Sequence, residues 1–599
     1  MRVRAVLVVA AMLAATSGAG CQSPGIRPRA LRALPVVRAG TASLHGPGVA
    51  EYERLREQVE AGGGATSAAL VELAERADEI GRRELRRDPL MALPWFRDAS
   101  AYSAFALTRG TPGADEFERA RAVEVHNHAV AELLRCSGAG PKPVNPGWRE
   151  QLAAVGVVPA PTAPERATLP LDQLWVADDF RVRNLEPIRR DGLGVPLVEV
   201  SYFPNRDARP DHFLPERLRL PTTAVFRPSG PLEGGAWRGQ PSALALHDAA
   251  HEGSLTLAPG QSPVPLAADL TTPMAHQLVL APLDRLAWGG LLRPGTYNNT
   301  LGIYMYGPYQ PGRIPVLFVH GLWSSPDVWL KMGNALQGDP LIRERYQFWY
   351  AFYPTGAPMM VSAYRLRKAL ADLRASIDPN HADAALDQMV LVGHSLGGVL
   401  SKQFIQSSGD RLEKGLFTRP FDQVAMSDEH RALLREIFYF EPVPSVRRAV
   451  FIAAPHRGSN TANQLLGRTA SALVRRADDI NELHAEILRL NGPEVVQPFY
   501  RNRPPSSVDN LEWNSPILRT LAELPRAPGV PCHSIVANLF PAAPPRFWTD
   551  GVVSYESAHL DDVESEVMVR HNHFANDTPE ATAEVHRILR LHVGAPDGP

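Results

Sequence analysis

Apolar runs alternate with helix-like stretches throughout the C-terminal half of the chain. Each run has three to five residues and is bounded by turn-forming residues, which is typical of buried strands. Between them lie helical patterns such as residues 361–377, which Pro379 stops, and a final helix that Thr578 caps with Pro579 at its first position. This alternation predicts a mostly parallel sheet with helices on both faces. The predicted strands are residues 316–319, 348–352, 389–392, 449–453, 534–537 and 567–569.

The first half of the chain has different patterns. Apolar residues at helical spacing predict a helical region over residues 51–136. A Pro-rich connector follows at 137–170, and short strand-like runs between turn signals predict a small β-rich accessory domain over 171–300. The α/β domain itself is predicted over residues 310–592. The chain is therefore expected to carry a helical segment and a β-rich domain ahead of its α/β domain.

The N-terminus has the layout of an export signal. Arg2 and Arg4 precede an apolar stretch and a small-residue region that ends directly before Cys21, so residues 1–20 are predicted as a signal peptide. Small residues before a cysteine resemble a bacterial lipoprotein signal, in which that cysteine is lipidated, although Gly18 stands where such signals usually have leucine. Ordinary cleavage after Ala19 is the rival interpretation. With residues 21–50 as a tether, we expect an exported protein, lipid-anchored in a bacterial cell envelope.

Composition narrows the function classes. The 599 residues are 44% hydrophobic and 21% charged, as in ordinary globular proteins. A net charge of -2 without a basic block argues against a nucleic-acid partner. Beyond Cys21, only Cys136 and Cys532 remain, which form either one disulfide or two buried thiols. Three cysteines cannot build a cysteine zinc site, and no cofactor or metal is expected.

The most informative motif is Gly393-His394-Ser395-Leu396-Gly397, which follows an apolar run and precedes a helical pattern. Strand, G-x-S-x-G and helix together are the context of a nucleophile elbow. In that turn the serine is strained, and glycines are needed two residues to either side because larger side chains would collide with the neighbouring strand and helix. Ser395 is therefore predicted to be a nucleophile, and a plain glycine-rich turn is the alternative.

A serine nucleophile needs a base, and the base needs an acid that orients it. In this arrangement the chain order is serine, acid, histidine. Asp550, in a loop after a predicted strand, is the candidate acid; Asp561 and Asp562 are its rivals in a more acidic stretch. Two histidines follow the last predicted strand, and His573 is preferred to His571 as the base.

An oxyanion hole needs two backbone N–H donors. One is expected from Leu396, directly after the nucleophile, and the other from Leu322 in the loop after the first buried strand. In that loop Gly321 lets the backbone approach a substrate.

These motifs resemble the bacterial lipase/esterase branch of the α/β-hydrolase superfamily, which includes relatives of the eukaryotic GPI inositol-deacylase group. The resemblance rests on the His320-Gly321-Leu322 run, the elbow, the 455–459 segment Pro-His-Arg-Gly-Ser, the 550–553 segment and the late histidine, and it covers about residues 310–592. It implies an α/β-hydrolase fold and hydrolysis of acyl esters, including lipid esters, through an acyl-enzyme. The alternatives are a catalytically silent envelope binding protein, and an amidase or thioesterase with the same three residues.

Two insertions interrupt the predicted α/β domain, at residues 407–445 and 459–530. Apolar stripes at helical spacing in the second insertion either pack on the domain or form a mobile lid over an acyl pocket. The two stripes consist of Ala462, Leu465, Leu466, Ala470 and Leu473, and of Ile480, Leu483, Ile487 and Leu488.

Overall fold

The computed structural model divides the chain into two compact units. The N-terminal unit comprises Pro24–Arg206 with Glu216–Gln277, and the C-terminal unit includes Asp207–Pro215 and Leu278–Pro599. The predicted signal peptide and Cys21 lie outside the described residues. The structure describes residues 25–28, 48–61, 65–109, 116–140, 146–203, 213–279, 300–459 and 478–596.

Helices dominate the first part of the N-terminal unit, in the region with helical spacing of apolar residues. Residues of that pattern, such as Leu70, Leu73 and Ala77, are fully buried. They share one hydrophobic core with residues of the following sheet, such as Phe226 and Leu246. The helical and strand-rich regions therefore form a single compact unit. The helices in this first part are Val49–Glu60, Ser67–Leu85, Pro89–Arg109, Glu116–Ser137, Trp148–Ala154 and Pro164–Ala167. A further helix, Thr271–Val279, follows the strands.

A five-stranded sheet completes the N-terminal unit. Its first two strands are parallel and the other neighbours are antiparallel. The first strand lies inside the stretch predicted as a Pro-rich connector, and its prolines are tolerated because it is an edge strand, where backbone donors are not all needed. In order across the sheet, the strands are Val157–Pro161, Ser242–Asp248, Arg217–Arg227, Val195–Tyr202 and Gln173–Val176.

Short strand pairs flank this sheet. Gly25–Pro28 pairs with Phe180–Arg183, although residues 25–28 fall in the predicted tether. Ile26 packs on a small cluster with Trp175 and Phe180, which accounts for the ordering of this segment. Two other pairs join Ala268–Asp269 to Arg189–Arg190 and Val264–Pro265 to Ser254–Leu255.

The C-terminal unit is built on a seven-stranded sheet. Every predicted strand of the α/β domain is present, and each pair of neighbours is parallel except the first, which is antiparallel. The strand at that antiparallel edge, Gly302–Met305, was not predicted. In order across the sheet, the strands are Gly302–Met305, Tyr346–Phe352, Ile314–Val319, Met389–His394, Val446–Ile452, Cys532–Ala537 and Ser565–Val569.

Helices cover both faces of this sheet, because successive strand side chains point to opposite faces. Leu317 and Leu391 belong to a core that the long helix Met359–Ile377 covers. Val316 and Val390, one residue earlier in each strand, belong to a second core that the last helix, Pro579–His592, covers. The other helices near these strands are Leu330–Leu336, Pro340–Arg345 and Leu396–Lys402.

The two predicted insertions are helical where they are described. Ile480, Leu483 and Ile487 are buried against the core of the first sheet face. The other predicted stripe, at residues 462–473, lies outside the described residues. The helices of the insertions are Arg411–Leu416, Asp428–Phe438, Asp478–Asn491, Ser507–Asn510 and Pro516–Glu523. A further short helix, Tyr555–Ala558, follows the strand Cys532–Ala537.

Two further observations concern thiols and membranes. Cys136 and Cys532 are both buried free thiols, in different units. Among the residues that the structure describes, no helix combines the length and apolarity needed to span a membrane.

Candidate active site

Ser395 lies at a sharp turn between the strand Met389–His394 and the helix Leu396–Lys402. Its backbone is strained, with φ 53° and ψ -125°. A Cβ atom on Gly393 would come within 2.7 Å of the Gly397 carbonyl oxygen, and one on Gly397 within 2.2 Å of the Val319 carbonyl oxygen. The two glycines are therefore required by close backbone contact, as the motif predicts.

The predicted base and acid lie next to this serine. The Nε2 atom of His573 is 2.8 Å from the Ser395 hydroxyl oxygen. The Nδ1 atom of the same ring is 2.8 Å from Oδ2 of Asp550. Three residues that are far apart in sequence thus form one continuous hydrogen-bonded chain.

Asp550 is held in place by its own loop. Its side chain is buried, and its Oδ1 atom accepts hydrogen bonds from the backbone N–H groups of Val552 and Val553 at 2.8 and 2.7 Å. Gly551, between Asp550 and Val552, has φ 92°, a conformation that favours glycine. The carboxylate is therefore fixed with Oδ2 free to face the imidazole.

The rival residues lie elsewhere. The side chains of Asp561 and Asp562 are 83% and 79% exposed and form ion pairs with Arg457 and Arg526. His571 contacts the carbonyl of its neighbour Asn572, at 3.3 Å. The structure brings none of these rivals to Ser395.

The loop after the strand Ile314–Val319 passes directly beside the serine. A Cβ atom on Gly321 would lie 3.0 Å from the Ser395 Cβ atom, so a side chain here would require Ser395 or its neighbour His394 to shift. The backbone N–H groups of Leu322 and Leu396 have no hydrogen-bond partner among the described residues. Both predicted donors therefore remain available to a bound oxygen atom.

His320 and Tyr353 brace that loop. The two rings stack with centroids 4.5 Å apart, and the tyrosine hydroxyl donates to the His320 carbonyl at 2.7 Å. Burial lowers the pKa of His320 to about 4, so its ring is neutral at ordinary pH.

His394 is the site residue that the sequence analysis did not single out. Its Nε2 atom lies 2.8 Å from the backbone carbonyl oxygen of His573, and a Cβ atom on Gly321 would lie 3.0 Å from its Nδ1 atom. Burial, together with the nearby His573, lowers the pKa of His394 to about 3. A neutral ring that meets a carbonyl must donate from Nε2. A polar ring at the end of an otherwise apolar buried strand is the signal that could have revealed it.

The segment after the strand Val446–Ile452 contacts the loop that carries the acid. The Ser459 hydroxyl donates to the Val552 carbonyl at 2.5 Å, which ties this segment to the loop of Asp550. His456 is buried edge-on against Phe451, and burial holds the pKa of His456 well below its ordinary value. This segment therefore contacts the acid loop but not the serine.

Two pairs of histidines have one residue between them, namely His126 with His128 and His571 with His573. Within the described ranges no group of three or more His, Cys, Asp or Glu side chains could hold a metal ion. His126 accepts a hydrogen bond from the backbone of Phe226, and His128 contacts Asp78 at 2.6 Å. Both helical histidines therefore have structural partners.

Comparison with known proteins finds one family model that matches part of the chain. Residues 316–585 match the sequence model of the Alpha/beta hydrolase family. No curated protein matches the chain.

Several solved structures are similar to about half of the chain. The mature lipase BlEst2 of Bacillus licheniformis is 15% identical with a TM-score of 0.27, covering 47% of this chain and 93% of that one. The metagenomic carboxyl esterase MGS0156 is 15% identical with a TM-score of 0.26, covering 48% and 77%. The esterase Est2 of the planctomycete Thermogutta terrifontis is 14% identical with a TM-score of 0.25, covering 50% and 91%.

The fold assignment rests on the sheet and the family match. Six parallel strands, a strained serine between strand and helix and the matched residues agree with the predicted fold class, which is confirmed. The C-terminal unit therefore has the α/β-hydrolase fold, and residues 316–585 are the part that is similar to the family model.

Proposed function

We propose that this protein is a serine hydrolase that cleaves carboxylic esters through an acyl-enzyme. The observation that carries the proposal is the continuous hydrogen-bonded chain from the Ser395 hydroxyl through His573 to Asp550, with both contacts at 2.8 Å. That geometry satisfies what nucleophilic catalysis by serine requires, namely a base within reach and an acid that orients the base.

In the first half-reaction Ser395 is the nucleophile. Its Oγ atom bonds to the acyl carbon while its proton passes to Nε2 of His573. The carbonyl electrons move onto the acyl oxygen, and the N–H groups of Leu322 and Leu396 stabilise that oxyanion. When the tetrahedral intermediate collapses, the alkoxide leaves and takes the proton from His573, giving an alcohol and an acyl-enzyme.

In the second half-reaction a water molecule, instead of Ser395, is the nucleophile. His573 takes a proton from water as the water oxygen attacks the acyl carbon, and the proton then returns to Ser395 Oγ as the ester bond to the enzyme breaks. Throughout both steps Asp550 accepts from Nδ1 of the imidazole and stabilises its positive charge. The products are a carboxylic acid and regenerated enzyme.

Labelling with a fluorophosphonate probe tests this proposal. Such a probe bonds to an activated serine, so we expect labelling of the wild-type protein and none of Ser395→Ala. Ser401→Ala is a matched control, because Ser401 is buried in the helix that follows the elbow and its hydroxyl has no hydrogen-bond partner among the described residues. The control should label like wild type. A folded wild-type protein that does not label would instead support a catalytically silent binding protein.

The substrate class is proposed as acyl esters, including lipid esters. An activity panel of 4-nitrophenyl esters from acetate to palmitate, run on wild type and Ser395→Ala, measures the chain-length preference of the same site. The rates that disappear in Ser395→Ala belong to this site.

Export and lipid attachment at Cys21 remain proposals from the sequence. The basic start, the apolar stretch and the small residues before Cys21 support them. The mass of the native N-terminus tests both, since a chain that begins at an unmodified Gly20 contradicts lipidation.

We further predict that His394 positions the base. Its Nε2–H group donates to the His573 carbonyl, so His394→Leu leaves that carbonyl without this donor and loosens the base loop. Because a misplaced catalytic group can cost on the order of a hundredfold in rate, we expect a roughly ten- to hundredfold fall in kcat. KM should change little. His394→Gln, whose amide can reach the same carbonyl, should recover most of the turnover, and equal turnover of the Leu and wild-type proteins would contradict this role.

A further inference from the structure

An exposed apolar loop leads into the acid of the site. Residues 539–548 read Leu-Phe-Pro-Ala-Ala-Pro-Pro-Arg-Phe-Trp, with Arg546 as the single charge and no acidic residue. Phe540 and Phe547 are 54% and 56% exposed, and Leu539 is exposed as well. We call residues 539–548 the apolar loop. Contiguous exposed apolar residues of this kind usually mark an interaction surface.

The apolar loop is ordered by its own hydrogen bonds. The N–H of Ala543 donates to the Phe540 carbonyl at 2.9 Å, and the N–H of Phe547 donates to the Pro544 carbonyl at 2.9 Å. The Trp548 indole donates to the Ala543 carbonyl at 2.6 Å. The two phenylalanine rings are therefore held in solvent by a fixed backbone, and little ordering remains to be done when they bind.

The apolar loop lies at the active-site edge of the sheet. It begins two residues after the strand Cys532–Ala537 and ends two residues before Asp550. The N–H of Leu539 donates to the Thr549 carbonyl at 2.8 Å, which fixes the base of the loop to the acid segment. Phe574, directly after His573, adds a further exposed ring beside the site.

The single positive charge of the apolar loop indicates which kind of surface it binds. The Arg546 guanidinium lies over the Phe547 ring, 4.8 Å from its centroid, so cation and apolar surface are presented together. Aromatic rings enter the boundary between headgroups and acyl chains, and a neighbouring arginine attracts anionic headgroups. A loop with one cation and no carboxylate suits such a surface.

We propose that residues 539–548 dock the active-site edge onto a bilayer that contains anionic phospholipid. The docked loop places Ser395 near ester bonds that reside in the membrane. Only this consequence rests on the proposed hydrolase function, since the docking itself involves no turnover.

Vesicle co-sedimentation tests the proposal on the full chain with Cys21→Ser, which removes the predicted anchor. The parent protein should bind vesicles of phosphatidylcholine with phosphatidylglycerol. Phe540→Ser/Phe547→Ser should weaken binding by at least about tenfold, because burial of two aromatic rings is lost. Arg546→Gln should remove most of the preference for vesicles with phosphatidylglycerol over pure phosphatidylcholine. Thermal unfolding midpoints check that each variant folds.

Phe117→Ser is the matched control. Phe117 is 65% exposed and also has an arginine over its ring, Arg121, but it lies on a helix of the N-terminal unit. This variant should bind vesicles like the parent. No vesicle binding by the parent, or equal binding by the double variant, overturns the proposal. Concentration-dependent self-association that the double variant abolishes would assign the loop to a second copy of the chain instead. Fluorophosphonate labelling is read separately, so failure of docking and failure of the hydrolase proposal are distinguishable.

Discussion

His573→Ala should lose roughly 10⁴- to 10⁶-fold in kcat on a soluble ester, as removal of a base from a serine hydrolase does. The reason is geometric: Nε2 of His573 is 2.8 Å from the Ser395 hydroxyl and is the ring atom placed to take its proton. Without that base the hydroxyl remains a weak nucleophile at neutral pH. Steady-state kinetics with 4-nitrophenyl acetate measures the loss.

His571→Ala is the matched control, because it also removes an imidazole ring, from a histidine two residues before His573. The His571 ring contacts the Asn572 carbonyl and not the serine, so most of the turnover should remain. Thermal unfolding should show both variants folded. The reverse ranking of the two variants would assign the base to His571 and refute the proposed arrangement.

The α/β part of the fold was predictable from local patterns. A buried parallel strand is covered on both faces and therefore consists mainly of apolar residues. Strands such as Ile314–Val319 and Met389–His394 can for this reason be predicted from the sequence. The antiparallel edge strand Gly302–Met305 could not be predicted in this way, because it is short and an edge strand needs only one apolar face.

The N-terminal unit was less predictable because long-range pairing decides its organisation. The strand Val157–Pro161 contains two prolines and becomes a strand only through its neighbour Ser242–Asp248. Likewise, the spacing of Leu70 and Leu73 predicts a helix face but not that this face shares a core with the later sheet. Tertiary contacts between distant segments leave no local signal.

At the candidate site, the residue types and their order along the chain could be predicted from the sequence. The distances between the side chains could be obtained only from the structure. The elbow motif predicts Ser395 because its strand, turn and helix are contiguous in the sequence, although the Val319 carbonyl that Gly397 must avoid belongs to the neighbouring strand. The choice of His573 over His571 depends on how the loop after Ser565–Val569 turns, which spacing alone does not fix. The role of His394 depends on a backbone carbonyl 179 residues away, so no motif contains it.

Asp550→Asn should keep the fold and reduce turnover by a factor on the order of 10⁴, the loss seen when the acid of a serine protease becomes an amide. The structure gives the reason. Oδ1 of Asp550 accepts from the backbone N–H groups of Val552 and Val553, and an asparagine can keep both bonds through its amide oxygen. Its NH₂ group then faces Nδ1 of His573, where the carboxylate oxygen had been.

Replacing the carboxylate oxygen by an amide NH₂ group changes which nitrogen of His573 carries the proton. An amide NH₂ donates to Nδ1, so Nδ1 must be the unprotonated nitrogen and the ring proton moves to Nε2. A ring with its proton on Nε2 cannot accept the proton of Ser395, although every heavy atom stays in place. We therefore expect an unchanged unfolding midpoint, little change in KM and a collapse of kcat. Asp561→Asn and Asp562→Asn should keep turnover within about tenfold of wild type, because both carboxylates are exposed and pair with arginines instead of the imidazole of His573. Near-wild-type turnover of Asp550→Asn, with loss in either of these variants, would move the acid to that residue.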